Sequence, residues 1–474
     1  MGLRPEEDQA ADLVDSNRQR YLDIVQADFA SSTDVELWHS IGHLLSRSWW
    51  WRGWVLQEIV LPPNHQFFIG LSSIELPKLF SVFFAHDQHF RCMAKIANLR
   101  QTRRFEAIRN LLGRFATLMK VRTLRALLSR CASRGTSPAL LDVLGNMRDR
   151  RTSDEKDKVF AALGMLGDDP PIEADYNKSV QSLYFEVARR CIMSNSRLEV
   201  LGYCRFPTCI SELPSWCPDW SDTNAGRHPV GWAWRLRLQT EKIAWRAGGL
   251  GDEASGTVRP IDEALILLGH AFSTICFTYC PDHRQADQVD RLVREHEALH
   301  EWAVDRATTS RNYRCIEPDT WVYVPSVGSD QFAIPRYKPT DDTLKDAYLR
   351  TLCADHLLRP NVTVPEPYKD VINSSDTPIQ DPAWYIRSFM PHLNGRTFGV
   401  TEDGFFALVP QEAQPGDKIA LIRGNPVPIV VREHESGQPN TFCLIGECYV
   451  HGILDEELYE ELKRNDAFGE IIIL

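Results

Sequence analysis

The stretch RSWWWRGWVLQEIVL, Arg47 to Leu61, holds four of the thirteen tryptophans and places a glutamine–glutamate pair directly after them. Its apolar spacing predicts a helix, stopped by Pro62-Pro63-Asn64. In a helix over 44–61, Trp51, Trp54, Val55 and Glu58 share one face. An indole one turn from a carboxyl group would form an apolar wall beside it. The expectation is therefore a desolvated Glu58, a candidate acid, base or cation stabiliser. The plainer alternative is that the tryptophans are core and Glu58 pairs with a basic neighbour.

Outward from this stretch, the flanks read as helix. DSNRQRYLDIVQADF and DVELWHSIGHLL are amphipathic, with Asp34 placed as an N-cap. HQFFIG after the prolines reads as a short strand. LPKLFSVFFA to RTLRALLSRCA, within 76–134, reads as linked helices whose arginines form a solvated face. In SDEKDKVFAALGML, Asp154 is expected to cap a helix, Lys156 and Lys158 to face water, and Val159, Phe160 and Leu163 to pack. SVQSLYFEVARRCIMS is a further periodic helix. In LPSWCPDWS (213–221), Trp216 and Trp220 are expected to plug the core. ALILLGHAFSTICFTY reads as strand. A charged helix is expected at 286–306, with further helices at 341–358 and 366–392. From 393 onward, short β runs alternate with turns at Asp403-Gly404, Pro415-Gly416-Asp417 and Gly424-Asn425-Pro426. That spacing predicts a small meander or barrel, closed by a helix at DEELYEELKR.

Composition bounds the function. A net charge of −11 argues against broad nucleic-acid binding. No run of eighteen apolar residues occurs, so no membrane span is expected. The twelve cysteines contain no CxxC pair, and the acidic N-terminus lacks a secretory h-region, so reduced thiols and a cytoplasmic location are expected. HEALH (296–300) is a formal HExxH, but its flanks are charged and a solvated helix fits better. Cys276, Cys280 and His283 lack a fourth ligand at a sensible spacing, and GGLG (248–251) lacks a Walker lysine. No metal site is expected.

Taken together, these motifs resemble the fungal heterokaryon-incompatibility (HET) family. RSWWWRGWVLQE is similar to the end of the HET domain, R-x-W-F-x-R-x-W-x-x-Q-E, with Arg47, Trp49, Arg52, Trp54, Gln57 and Glu58 matching and Trp50 in place of Phe. SDEKDKVFAALGML resembles D-P-R-D-K-V-F-A-L-L-G-L, with Glu155 and Lys156 as departures. Residues 175–192, LPSWCPDWS and the β-rich tail resemble later family motifs in the same order. HET domains are themselves similar to Toll/interleukin-receptor (TIR) domains, some of which cleave NAD with a helical glutamate. The resemblance implies an α+β chain. Residues 1–75 would be the C-terminal part of a TIR-like α/β domain, 76–222 a helical region, 223–392 a mixed, mostly helical region, and 393–474 an antiparallel β-rich module.

It further implies a role in non-self recognition, innate immunity and programmed cell death. Protein partners would act through self-association of the HET region, and no cofactor is required. The alternative is an NAD glycohydrolase using Glu58, with Trp54, Gln57 and Arg52 contacting ligand and NAD as the substrate. The family's opening Y-x-A-L-S-Y-x-W-G and W-I-D-x-x-C-I-N-Q segments do not occur here. The expectation is a truncated domain without catalysis, poorly ordered or poorly soluble over 1–75 because an incomplete sheet exposes an edge strand or an unburied apolar face.

Overall fold

The computed structural model describes residues 34–81, 118–166, 172–222, 247–248, 258–279, 313–317, 320–323, 336–337, 342–352, 354, 395–453 and 457–474, with single-residue or two-residue gaps at 119, 137, 196–197, 211 and 353. The expected helices at 286–306 and 366–392, HEALH, Cys280 and His283 lie outside them. The chain forms two compact units, Met1–Pro170 and Pro171–Leu474.

The first unit is mainly helical. Helix α1 (Asp34–Leu45) leads through a 3₁₀ turn (Ser48–Trp51) to α2 (Gly53–Val60). A hairpin follows, β1 (Gln66–Ile69) paired antiparallel with β2 (Ser72–Glu75). Thus 34–75, expected to be poorly ordered, is built from regular elements. A short helical stretch at 76–81 follows the hairpin, helix α3 covers 120–133, and α4 (Leu140–Met147) and α5 (Asp157–Leu163) complete the described part. Asp154 Oδ1 accepts the Lys156 N–H at 2.9 Å, so its cap-like bond forms just ahead of the helix.

Lys158 corrects the expectation of a solvated face. It is 2% exposed, and its ammonium donates to the carbonyls of Arg148, at 2.9 Å, and Arg150. It thus ties the turn after α4 to α5. Replacing it by Ala leaves two buried carbonyls without their donor, an expected loss of about 3 kcal/mol. Urea unfolding of the Lys158→Ala chain checks this. A change below about 0.5 kcal/mol, the range of ordinary surface substitutions, would contradict the role.

The second unit starts with α6 (Val180–Asn195) and a 3₁₀ helix (Leu198–Tyr203), then becomes a β structure. Strand β3 (Arg259–Ile261) runs into the long β4 (Ala264–Tyr279). Two small hairpins, β5 (Tyr313–Glu317) with β6 (Thr320–Tyr323) and β7 (Arg336–Tyr337) with β8 (Asp342–Thr343), precede α7 (Leu344–Leu352). Strands β9 (Arg396–Thr401), β10 (Phe406–Pro410), β11 (Lys418–Ile422), β12 (Ile429–Glu433), β13 (Thr441–Glu447) and β14 (Tyr449–Val450) follow. Helix α8 (Glu457–Arg464) is the expected terminal helix, but it is not the last element, because β15 (Gly469–Ile473) comes after it.

Five of these strands form a closed circuit. β11 pairs antiparallel with β12, and β12 with β13. β13 pairs parallel with β15 (Thr441 opposite Ile472), and β15 pairs antiparallel with β4 (Ile472 opposite Ile266). β4 then returns to β11, with Ala271 opposite Ala420. Closure removes the open edges that a five-stranded sheet would otherwise present. Past a bulge at Ile275/Phe277, β4 leaves the circuit and pairs with β9, extending the sheet through β10 to β14. Bulges bend a strand, which lets one strand serve two sheets. Gly269 marks where β4 is shared, opposite both Ile422 and Gly469. A Cβ there would meet Ile422 Cδ1 at 2.5 Å and the Leu421 carbonyl at 2.9 Å, so no side chain fits at this corner.

The Trp- and Pro-rich loop locks this barrel, as expected of core plugs. Trp216 is fully buried, packs at a tilt against Phe185 of α6 with ring centroids 5.4 Å apart, and donates its indole N–H to the Glu263 carbonyl at 2.8 Å, just ahead of β4. The Ser215 N–H donates to the Leu474 carbonyl at 3.0 Å, and Ser215 Oγ accepts the Leu444 N–H at 2.8 Å. One loop therefore grips β4, β13 and the residue after β15. Trp220, also buried, packs on Tyr203 at 5.5 Å.

Candidate functional site

The motif helix α2 is short for reasons visible at both ends. At its start, the Gly53 N–H donates to the Arg151 carbonyl at 2.9 Å, and a Cβ on Gly53 would sit 2.8 Å from the Thr152 side-chain methyl Cγ2. At its end, the Arg125 guanidinium from α3 donates to the carbonyls of Ile59 (2.8 Å), Pro62 (2.9 Å) and Pro63 (3.1 Å). Carbonyls at a helix C-terminus lack intrahelical donors, and a cation there also complements the helix dipole. Arg125 belongs to the basic stretch expected to be a solvated face, so at this position that expectation is corrected.

Val55, Leu56, Ile59 and Val60 form the buried face of α2. The tryptophans divide. Trp50 is buried, donates its indole N–H to the Leu44 carbonyl at 2.9 Å, and packs edge-on against Trp49 at 4.9 Å; both rings meet Phe67. Trp51 ends the 3₁₀ turn and is not on the α-helix, so the shared face expected for Trp51, Trp54, Val55 and Glu58 is not formed. Trp54 is 38% exposed and Glu58 is exposed, opposite the buried stripe. The desolvated carboxyl group expected beside the indole is therefore corrected to a solvated one, because burial follows Val55, Leu56 and Ile59. Gln57 alone of the candidate residues reaches another motif. Its side-chain amide lies over Gly164, where a Cβ would come 1.7 Å from Gln57 Nε2. Arg52 is exposed at the N-cap of α2, with no side-chain cap bond.

Beneath the helix, Arg150 is fully buried and donates to the Trp50 carbonyl. Burial lowers its guanidinium pKa, and neighbouring Asp149 opposes that shift. Burial alone would push Asp149 up. The cations of Lys120 and Arg150, with the Lys120 hydrogen bond, outweigh it and hold the carboxyl group below the usual range.

In the second unit, a small cleft has about 30 Å³ of room for water, between Arg205, Arg396, Glu412, Glu447 and the glycines 395 and 446. Its charges are already paired, Arg205 with Glu412 at 2.6 Å and Arg396 with Glu447 at 3.1 Å. A space of that size holds a water rather than a substrate. Burial pushes the thiols of Cys217 and Cys448 far up, which disfavours a nucleophilic thiolate. No His, Cys, Asp or Glu cluster among the described residues has the makings of a metal site, and no helix among them is long and apolar enough to cross a membrane.

Comparison with known proteins bears on this β structure first. Residues 376–469 match the Het-6 beta-barrel domain. Heterokaryon incompatibility protein 6, OR allele, of Neurospora crassa is 23% identical over 477 aligned positions, which cover 91% of this chain and 67% of that protein. The chain is a distant homologue of a fungal Het-6 heterokaryon-incompatibility protein. No solved structure matches it significantly. It is a mixed α+β chain with a helical middle and a β-rich module that matches the Het-6 barrel. The matched stretch covers β9 to β14 and only the first residue of β15. The closed circuit in this chain also uses β4, which ends at Tyr279, well upstream of the match.

Proposed function

We propose that the chain is a fungal incompatibility determinant, acting in non-self recognition and cell-death signalling through protein contacts, without catalysis of its own. The observation that carries this reading is the alignment with a heterokaryon incompatibility protein over 91% of the chain. The barrel match supports the same reading. Self-association through the 34–75 region and a TIR-like ancestry of that region belong to the same proposal. So does a cytoplasmic site of action.

The test is a transformation assay. Introduced into a set of Neurospora crassa strains of different incompatibility types, the chain is expected to arrest growth in some backgrounds and not in others. Uniform growth across the whole set would count against the reading.

The solvated position of Glu58 supports the non-catalytic half of the proposal. Lysates containing the intact chain or Glu58→Ala are expected to consume NAD at the same background rate. NAD loss that depends on Glu58 would establish the enzyme alternative instead.

A further inference from the structure

The turn between β11 and β12, Gly424-Asn425-Pro426, is held by bonds of its own. Asn425 is buried; its N–H donates to the Ile422 carbonyl at 3.0 Å and its side-chain amide to the Val427 carbonyl at 2.8 Å. Just ahead of it, the Arg423 N–H donates to the Leu268 carbonyl of β4 at 2.9 Å. Gly424 sits at a φ of +82°, in the left-handed region that glycine adopts freely.

Two residues from far upstream are seated against this turn. The Ala247 N–H donates to the Pro426 carbonyl at 3.2 Å, and the Gly248 carbonyl accepts the Gly424 N–H at 2.7 Å. Ala247 is fully buried, in one core with Leu421 and Val427. A Cβ on Gly248 would run into the carbonyl oxygens of Ile422 and Asn425, backbone atoms that cannot swing aside as a flexible side chain would. The turn therefore offers one backbone donor, one backbone acceptor, a methyl-sized hole and then no space for a side chain. That set reads the main chain of an Ala-Gly pair, much as a sheet edge reads an added peptide. Among the described residues, Ala247 and Gly248 make no other hydrogen bond.

We propose that this turn is a preformed notch for a peptide backbone, closed in cis by Ala247-Gly248 as a strap, and that it takes an Ala-Gly peptide segment in trans when the strap lifts. The two sides of the contact are unequal. The turn keeps its own bonds and its tie to β4 without the strap, whereas two hydrogen bonds and one methyl group hold the strap. Local opening of so small a contact costs far less than unfolding the strands beneath it. Lifting it leaves the Gly424 N–H and the Pro426 carbonyl unpaired beside a hole in the core, and such groups favour a new partner of the same shape. The notch stands apart from the incompatibility reading and holds or fails independently of it.

The first test uses hydrogen exchange on the unaltered full chain. The Gly424 amide, bonded to the strap, should exchange at least about tenfold faster than the neighbouring Arg423 amide, bonded to β4. Equal rates would mean that the pair leaves only when the barrel unfolds, and would overturn the strap. The second test uses Gly248→Ala, whose methyl group evicts the strap. The Gly424 amide should lose protection in this variant while the amides of 397–410 keep theirs, which also shows that the fold survives. A fluorescently labelled peptide with the sequence of 245–250, Trp-Arg-Ala-Gly-Gly-Leu, should bind Gly248→Ala saturably and at least about tenfold tighter than the parent, whose notch is filled, and should restore the Gly424 protection. The same peptide with Ala in place of its first Gly should not bind. Equal affinity of the two peptides, or no saturable binding by a Gly248→Ala chain whose Gly424 amide is exposed, would overturn the notch.

Discussion

Expressed alone, residues 376–474 should fail to fold, whereas 171–474 should unfold cooperatively in urea. The shorter fragment contains the whole Het-6 barrel match but lacks β4. Without β4, three strands lose a neighbour: β15 at Leu265–Gly269, β11 at Gly269–Thr274, and β9 at Ile275–Tyr279. The fragment also loses Leu265, Leu267 and Ile275, all nearly or fully buried. Each such side chain stabilises by about 1.5–3 kcal/mol when buried. Their sum approaches a whole domain's net stability of about 5–15 kcal/mol. The newly open edges of β11 and β15 would favour aggregation. Supplying 258–279, by fusion or as a separate peptide, should restore part of the transition. Far-UV circular dichroism and urea titration check this, and a cooperative transition in 376–474 with the midpoint of 171–474 would falsify β4 as a barrel strand.

The sequence made β4 visible as a strand but not as part of the barrel. Its alternating burial gives it the period of a strand, and Gly269 within an apolar run signals close backbone approach. Nothing in the pattern says which distant strands it meets, because pairing depends on backbone bonds between segments far apart in sequence. β15 was missed for a related reason. EIIIL is too short an apolar run for periodicity to classify, and the helix before it looked like a natural end. Trp216 and Trp220 were legible as core because large rings between prolines have few other uses. The hydrogen bonds from Ser215 and Trp216, which make that loop a clasp, depend on Glu263, Leu444 and Leu474 and had no local signal.

At the candidate site, residue type was a better guide than periodicity. The helix begins at Gly53 rather than before the tryptophans, which takes Trp51 off it, and the apolar stripe Val55, Leu56, Ile59 and Val60 leaves Trp54 and Glu58 facing outward. Gly53 itself was the available clue, since a glycine amid bulky aromatics points to an approaching backbone. Lys158 shows the opposite limit. A lysine on a helix normally faces water, and only the neighbouring carbonyls of Arg148 and Arg150 make its burial favourable. Arg125 was hidden among other basic residues of an amphipathic helix, where no pattern separates a capping arginine from a solvated one.

Trp216→Ala is the single substitution expected to cost most, about 3–5 kcal/mol. The indole is fully buried, so its removal opens a large cavity between α6 and the start of β4. It also orphans the Glu263 carbonyl, which loses its 2.8 Å donor. Because Ser215 is the next residue, the cavity loosens the two bonds that hold β13 and Leu474 in register. The cost should therefore appear as early exposure of β4 and β15, the strands that close the circuit, before β9 and β10 open. Trp216→Phe separates packing from hydrogen bonding, since it fills much of the cavity and lacks the N–H; its expected cost is about 1–2 kcal/mol. Hydrogen exchange on the full chain reads both effects. Protection in 265–274 and 469–473 should drop first in Trp216→Ala, while 397–410 stays protected. A uniform loss across all strands would mean that the loop supports the unit as a whole and does not act as a clasp on its closing strands.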